Sequence, residues 1–228
     1  MKAKLVFAAL LLGSIALAKD PVSLARNWKA GDKDVYAMKI KLNSQMGEIT
    51  IEGTSTQVVK KVYDNGDADI ETTNSEMKFH GMGMDRDLPA GPASTMRLSK
   101  FGMPVGLKAD GQKNPRGMNL SFMRYALATG ENLEVGKAVA IDKTDAENPK
   151  NKVKGTYTLV STDNSIYKIT SSMDVSTEET GDTPMHIDAT SLVAAGGKLN
   201  RTDAKITHLP ATGGMQLDSV EMTMERKG

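Results

Sequence analysis

Apolar and polar residues alternate with a period of two along most of the chain, most cleanly between residues 152 and 176. Val153, Tyr157 and Leu159 share one parity, with Gly155 between them, while Thr156 and Thr158 share the other. Thr162-Asp163-Asn164-Ser165 supplies turn-forming side chains, after which Tyr167, Ile169, Met173 and Val175 alternate with Lys168, Thr170, Ser172 and Asp174. β-Branched and aromatic residues alternating in this way around a polar turn predict an antiparallel hairpin with one dry face. A lone hairpin is marginal in water, so other strands must flank it and something must cover that face.

The first half carries the same signal. Residues 35–43, 48–54, 58–63 and 68–73 predict four strands in meander order, with Tyr36, Met38, Ile40, Leu42, Ile49 and Ile51 inward. Met77 and Phe79 extend or restart the last of them. Asp64-Asn65-Gly66-Asp67 closes a hairpin, where Asn-Gly suits a turn whose two central residues both need positive φ. Residues 20–30 fit either a short helix capped by Asp20-Pro21 or a first strand through Val22, Leu24 and Arg26; the alternation tips towards the strand.

Residues 80–118 break the pattern. They hold seven Gly and four Pro and predict an irregular segment with strand only near 95–101 and 105–108. Residues 119–129 predict a helix, with Leu120, Met123 and Leu127 on one face, Phe122 and Ala126 beside it and Gly130 to end it. The second half returns to strands at 133–141, through the hairpin, at 186–194 and 198–209 around Ala195-Gly196-Gly197, and at 216–225 with Val220, Met222 and Met224 inward. Roughly ten strands of this kind predict a mainly β fold: a curved antiparallel sheet or open barrel with one or two short helices as a lid.

Residues 1–18 stand apart. Lys2 and Lys4 precede an apolar run, and Ala16-Leu17-Ala18 ends it as a small-x-small site. This predicts a cleaved signal peptide, too short in its apolar run to span a bilayer comfortably, and export to a bacterial periplasm or beyond. The remainder, 19–228, reads as a single β-rich domain. Alternatively it is two similar halves, 19–79 and 131–228, joined by the Gly/Pro/Met-rich segment and the helix. The chain has no Cys, so neither disulfides nor a lipid-bearing N-terminal cysteine is available. Without Lys2 and Lys4 the 29 basic residues fall to 27 against 28 acidic ones, and no run of one sign stands out. Nucleic acid is therefore not an expected partner, and neither is an anionic membrane surface. The charged end Glu225-Arg226-Lys227-Gly228 and the scarcity of aromatics also speak against an outer-membrane barrel.

Signatures of catalysis are missing from the sequence. It holds no nucleophile elbow, no paired-histidine zinc helix and no phosphate-cradling glycine loop, so no catalytic residue is assigned. His186 and Asp188 lie two apart on a predicted strand and share a face, which leaves a hydrolase as a third reading. The sharpest local motif is His80-Gly81-Met82-Gly83-Met84. Soft thioethers beside an imidazole suit Cu(I), so His80, Met82 and Met84 form a candidate copper site. The chain is nevertheless rich in Met throughout, fifteen in all, and Met also fills irregular apolar gaps. Asp64-Asn65-Gly66-Asp67 is better explained as a hairpin turn than as a calcium loop, because no glutamate stands at the twelfth position.

The remaining candidate is a groove. A curved sheet lined by Met38, Ile40, Tyr157 and Leu159, with Leu120 and Met123 from the helix above it, would bind an apolar ligand without any cofactor. The residues Val22, Gly31-Asp32, Tyr36 and Asp64-Asn65-Gly66, with Leu133-Glu134-Val135-Gly136 and Gly155-Thr156-Tyr157, resemble uncharacterised exported bacterial β proteins. In outline the chain is similar to periplasmic lipoprotein carriers and lipid-binding envelope proteins, in which helices lid a curved antiparallel sheet. That resemblance implies handling of a lipid, an acyl chain or a segment of an envelope partner protein. Binding of such an apolar ligand is the leading expectation, and Cu(I) binding at the His-x-Met-x-Met loop is the alternative.

Overall fold

The computed structural model describes residues 21–45, 47–105, 132–144, 149–178, 180–210 and 216–227. Among them the regular structure is entirely β. The strands are β1 (Lys33–Ser44), β2 (Gly47–Val62), β3 (Ala68–Gly81), β4 (Met84–Leu88), β5 (Ser94–Leu98), β6 (Ala138–Thr144), β7 (Lys152–Asp163), β8 (Ile166–Ser176), β9 (Met185–Ala194), β10 (Leu199–Thr207) and β11 (Leu217–Arg226). All eleven belong to one antiparallel sheet in the order β4-β3-β2-β1-β11-β10-β9-β8-β7-β6, with β5 beside β4 on the outer edge of β3. The two edges do not pair, so the sheet is open. The last strand sits in the middle of it, between β1 and β10, and joins the two halves of the chain.

The expected hairpin is β7–β8, with Asn164 and Ser165 both at positive φ (45° and 64°) in its turn. Several expectations need correction. The strands expected at 48–54 and 58–63 are one sixteen-residue strand, β2. Thr54, Ser55, Thr56 and Gln57 look like a polar break, but nothing there forces a turn, and bulges at Glu52/Thr54 and Val59/Lys61 bend the strand instead. Residues 84–88, expected to be irregular, form β4 through a tight turn at Met82 and Gly83, with φ of 54° and 71°. At Asn65-Gly66 only Gly66 has positive φ, so that turn is wider than the two-residue hairpin expected there. Residues 21–30 make neither helix nor strand beyond one bridge, Val22 to Leu133. The helix expected at 119–129 lies outside the described residues.

Register sorts the side chains onto two faces. One row on the inner face runs Ile141, Gly155, Met173, Ile187, Ile206, Val220, Leu42 and Ile49 from β6 to β2. Met173, Ile187, Ile206 and Val220 are essentially inaccessible to water. Burying each such side chain contributes about 1.5–3 kcal/mol relative to leaving it exposed. The opposite face carries Thr, Lys, Asp and Glu, as in Lys39–Glu52 (2.8 Å) and Lys154–Asp142 (3.2 Å).

A sheet one layer thick can shield that many apolar side chains only by curling or by being covered. Its curvature is visible at one end, where residues 22–31 form a strap. Val22 pairs with Leu133, and Val135 bridges to Leu159 of β7. The Arg26 N–H donates to the Lys100 carbonyl at 2.7 Å, and Gly31 donates to Val59 of β2 at 2.8 Å. Between these points the strap presses on the β9–β10 turn, where a Cβ on Gly197 would lie 2.4 Å from the Leu24 carbonyl oxygen. The same Cβ would lie 2.8 Å from Cγ of Arg26. Lys100 follows β5, which is five strand spacings from β10 along the order, ~24 Å in a flat sheet. One residue, Arg26, touches both. The sheet is therefore drawn together at the strap end.

Gly155 allows a second close approach. A Cβ there would lie 2.2 Å from the Ser172 carbonyl oxygen and 2.7 Å from Cα of Met173, both of them backbone. Gly155→Ala must therefore push β8 away from β7. A loss of about 1–3 kcal/mol in urea unfolding is expected, and an unchanged midpoint would show that the contact is not close in solution.

Candidate functional site

The two inner-face rows beside the strap hold the predicted groove residues. The first reads Val139, Tyr157, Ser171, Ala189, Ala204, Met222, Ile40, Ile51 and Phe79 from β6 to β3. The second reads Leu159, Ile169, Ser191, Thr202, Met224, Met38 and Gly53 from β7 to β2. Tyr157 and Ile40 thus share one row, and Leu159 and Met38 share the next, on one side of the sheet. Leu120 and Met123 lie outside the described residues.

The pairing also reveals a feature the sequence reading missed. The middle of both rows, on β8, β9 and β10, is made of small side chains: Ser171, Ala189 and Ala204 in one, Ser191 and Thr202 in the other. Large ones flank them, with Tyr157, Leu159 and Ile169 on the β7–β8 side and Met222, Met224, Met38 and Ile40 on the β11–β1 side. The result is a buried band of small side chains across three strands, bordered on one side by adaptable thioethers. The Ser191 and Thr202 hydroxyls bond each other at 2.9 Å, so those two buried polar groups do not oppose an apolar occupant. The signal was present in the alternation of β8, where Ser171 interrupts Ile169 and Met173. Only the register aligns it with Ala189 and Ala204.

Three tyrosines stand on this face, Tyr36, Tyr157 and the partly buried Tyr167, and the first two are buried. Tyr36 lies at the strap end, where burial pushes its phenol up to about 12 while the Arg26 charge opposes the shift. Arg226 reaches Asp34 at 3.1 Å at the same end. Tyr157 stands beside Ser171 and is only 4% exposed. Burial alone drives its phenol far above the ordinary value, and its oxygen has no hydrogen-bond partner.

The candidate copper ligands occupy the β3–β4 hairpin. His80 pairs with Asp85, and its Nδ1 lies 2.9 Å from the Asp85 carboxylate. Met84 pairs with Gly81, one position away, and so stands on the opposite face of the ribbon; Met82 is in the turn. Met82 and Met84 are each half exposed. The hairpin thus separates the imidazole from the Met84 thioether by the thickness of the sheet.

On the outer face His186 sits among carboxylates. Its Nδ1 is 2.7 Å from Asp174 and its Nε2 is 3.3 Å from Asp188, with Ser172 Oγ at 3.4 Å from Nε2. The expected His186–Asp188 contact is present. Serine, imidazole and carboxylate in this order resemble a nucleophile relay, but the electrostatics favour a different role. The hydrogen bond to Asp174 raises the His186 pKa above the usual 6.5, with the Asp188 charge adding to it, which favours the imidazolium over a free base. Ser172 lies on a strand hydrogen-bonded on both sides, so the backbone N–H groups around it are already engaged and offer no oxyanion cradle. The cluster is a surface ion group at the margin of an open outer groove floored by β7–β11.

Among the described residues, fold and face together define a single-layer antiparallel β-sheet whose dry side carries small side chains at its centre. Among solved structures the chain is similar to a candidate lipoprotein of Parabacteroides distasonis, at 8% identity and a TM-score of 0.31, over 92% of this chain and 100% of that one. It is likewise similar to a candidate exported protein with a YmcC-like fold from Bacteroides fragilis, at 10% identity and a TM-score of 0.31, over 91% of this chain and 100% of that one. No protein-family model matches the chain, and no curated protein does. Both likenesses are ones of outline, and the function is argued from the chain's own residues.

The His186 cluster makes a prediction about pH. A folded pKa above 6.5 means that its stabilisation is complete below pH 6.5 and is lost as pH rises through the folded value. NMR titration of the imidazole should give a midpoint above 6.5 that falls in Asp174→Asn, and unfolding free energy should decline over the same window. A wild-type midpoint at or below 6.5 would contradict the ion group.

Proposed function

We propose that this is an exported protein that holds an apolar ligand, a lipid or acyl chain, against the inner face of its curved sheet and catalyses no reaction on it. The observation that carries the reading is the band of small side chains at the centre of the dry face. Ordinary core rows are filled by large side chains, as in the row from Met173 to Leu42, whereas the two neighbouring rows thin to Ser, Ala and Thr over three consecutive strands. Small side chains there reach less far from the sheet than the core rows do, and the methionines beyond them can adjust to chains of different shape. The signal-like residues 1–18 are in keeping with export, and a water-insoluble chain outside the cytoplasm needs a shielded carrier. An extended apolar segment of an envelope partner is the other occupant this face would accept.

Protein prepared from a bacterial host without detergent should carry added mass of an acyl lipid in native mass spectrometry. Ala189→Leu separates a trough from an ordinary core. In a filled core the added methylenes cost about 1–3 kcal/mol; in a ligand trough they are tolerated and the lipid is lost. Bare protein mass in the wild type, together with a strongly destabilised Ala189→Leu, would defeat the reading.

A further inference from the structure

The methionines among the described residues fall into two groups. Met38, Met173, Met185, Met222 and Met224 are buried in the main core, and Met77 and Met103 pack against it. Met82 and Met84 are each 51% exposed. A thioether is oxidised at a sulfur lone pair, so the oxidant must reach the atom. In the core that requires the sheet to open, whereas at Met82 and Met84 the side chain already lies in water.

Both stand on the turn between β3 and β4, which Gly81 and Met84 close as a cross-strand pair. Met82 and Gly83 between them have φ of 54° and 71°. A two-residue turn with both central residues at positive φ is served best by Asn-Gly or Gly-Gly, and a long thioether lends it no support. Met82 therefore occupies a strained backbone position while its side chain projects into solvent. A Cβ added to Gly83 would meet nothing within 4 Å, so the space around the tip is open.

Location decides what oxidation does to the fold. A sulfoxide at Met173 or Met222 would be a polar group in a packed core, a destabilising change. At the tip the added oxygen is hydrated, and the pairing of β3 with β4 runs through backbone groups rather than sulfur. The turn can pass from an apolar to a polar form while the sheet stays folded.

We propose that Met82 and Met84 form a reversible oxidation site for hydroperoxides. The S–O bond forms as the O–O bond breaks, and the proton on the transferred oxygen passes to the departing one. Sulfur gives up two electrons, and the peroxide leaves as water or an alcohol. Reversal returns two electrons and two protons and releases water. The chain has no cysteine to supply them, so the reductant is a dithiol of another protein, which becomes a disulfide.

The folded protein is treated with dilute hydrogen peroxide, quenched with free methionine and digested with trypsin. Residues 79–86 form one tryptic peptide whose methionines are Met82 and Met84; residues 34–39 carry Met38, and residues 169–198 carry Met173 and Met185. Oxygen uptake in the first peptide should be about tenfold or more faster than in the other two. In urea the three should react at similar rates. Peroxide should lower the thermal midpoint of the wild type no more than that of Met82→Leu/Met84→Leu. Methionine sulfoxide reductases of both epimer specificities, with dithiothreitol, should remove the oxygen from that peptide in the folded protein. Comparable rates in the folded protein overturn the site, as does a rate difference that persists in urea. A larger fall in midpoint for the wild type than for the double variant shows that the turn does not tolerate the sulfoxide, and resistance to the reductases overturns reversibility.

Discussion

The antiparallel pairing of β1 with β11 holds this architecture together. It runs from Tyr36–Arg226 to Leu42–Val220 and ties the start of the first meander to the end of the second, turning two sets of strands into one sheet. Because side chains alternate across a pleat, this one register decides that Met38 and Ile40 share a face with Met224 and Met222. Through β10, β9 and β8 it also decides that they share a face with Leu159 and Tyr157. A slip of one residue at this seam would turn the inner side chains of one half towards water and leave no continuous dry face.

Curvature is the second constraint, and glycine and the strap impose it. An open sheet has edges and a single dry face, so stability depends on how far that face can be bent towards itself. Gly155 removes the side chain that would hold β7 away from β8. Gly197, at φ of 76°, lets the β9–β10 turn lie directly against the Leu24 carbonyl. Arg26 then links that turn to Lys100 beyond β5. Among the described residues, those outside the strands that join the main core, Leu24, Leu133 and Leu209, are few beside the strand residues.

The two faces have different chemistry because they meet different solvents. Outside, cross-strand charges alternate, Lys with Glu and Asp with His, in pairs that are mostly exposed and individually weak. They keep the outer surface solvated and specify alignment. Inside, polar groups are few. Ser191 and Thr202 satisfy each other and Asp34 engages Arg226, while the Tyr157 hydroxyl is one of several buried side-chain atoms without a partner, Trp28 Nε1 and Asn74 Oδ1 among them.

The alternation of residues determined much by itself. It marked β7–β8 with its turn, β1, β9, β10 and β11 nearly to their ends, and the inward identity of Tyr36, Met38, Ile40, Tyr157, Leu159, Val220, Met222 and Met224. All of these depend only on a period of two and on local turn chemistry, which the chain carries within each segment. The long β2 was legible only in pieces, because strand pairing overrides a polar run that has no intrinsic turn. The strand β4 was hidden among glycines and prolines, and the Met82-Gly83 turn that forms it also sets His80 and Met84 on opposite sides. The order of the strands, the strap across one end and the alignment of the small side chains Ser171, Ala189, Ser191, Thr202 and Ala204 belonged to the tertiary structure alone. Each arises from which strand lies beside which, and that choice is made by contacts between residues far apart in the chain, where local pattern has no reach.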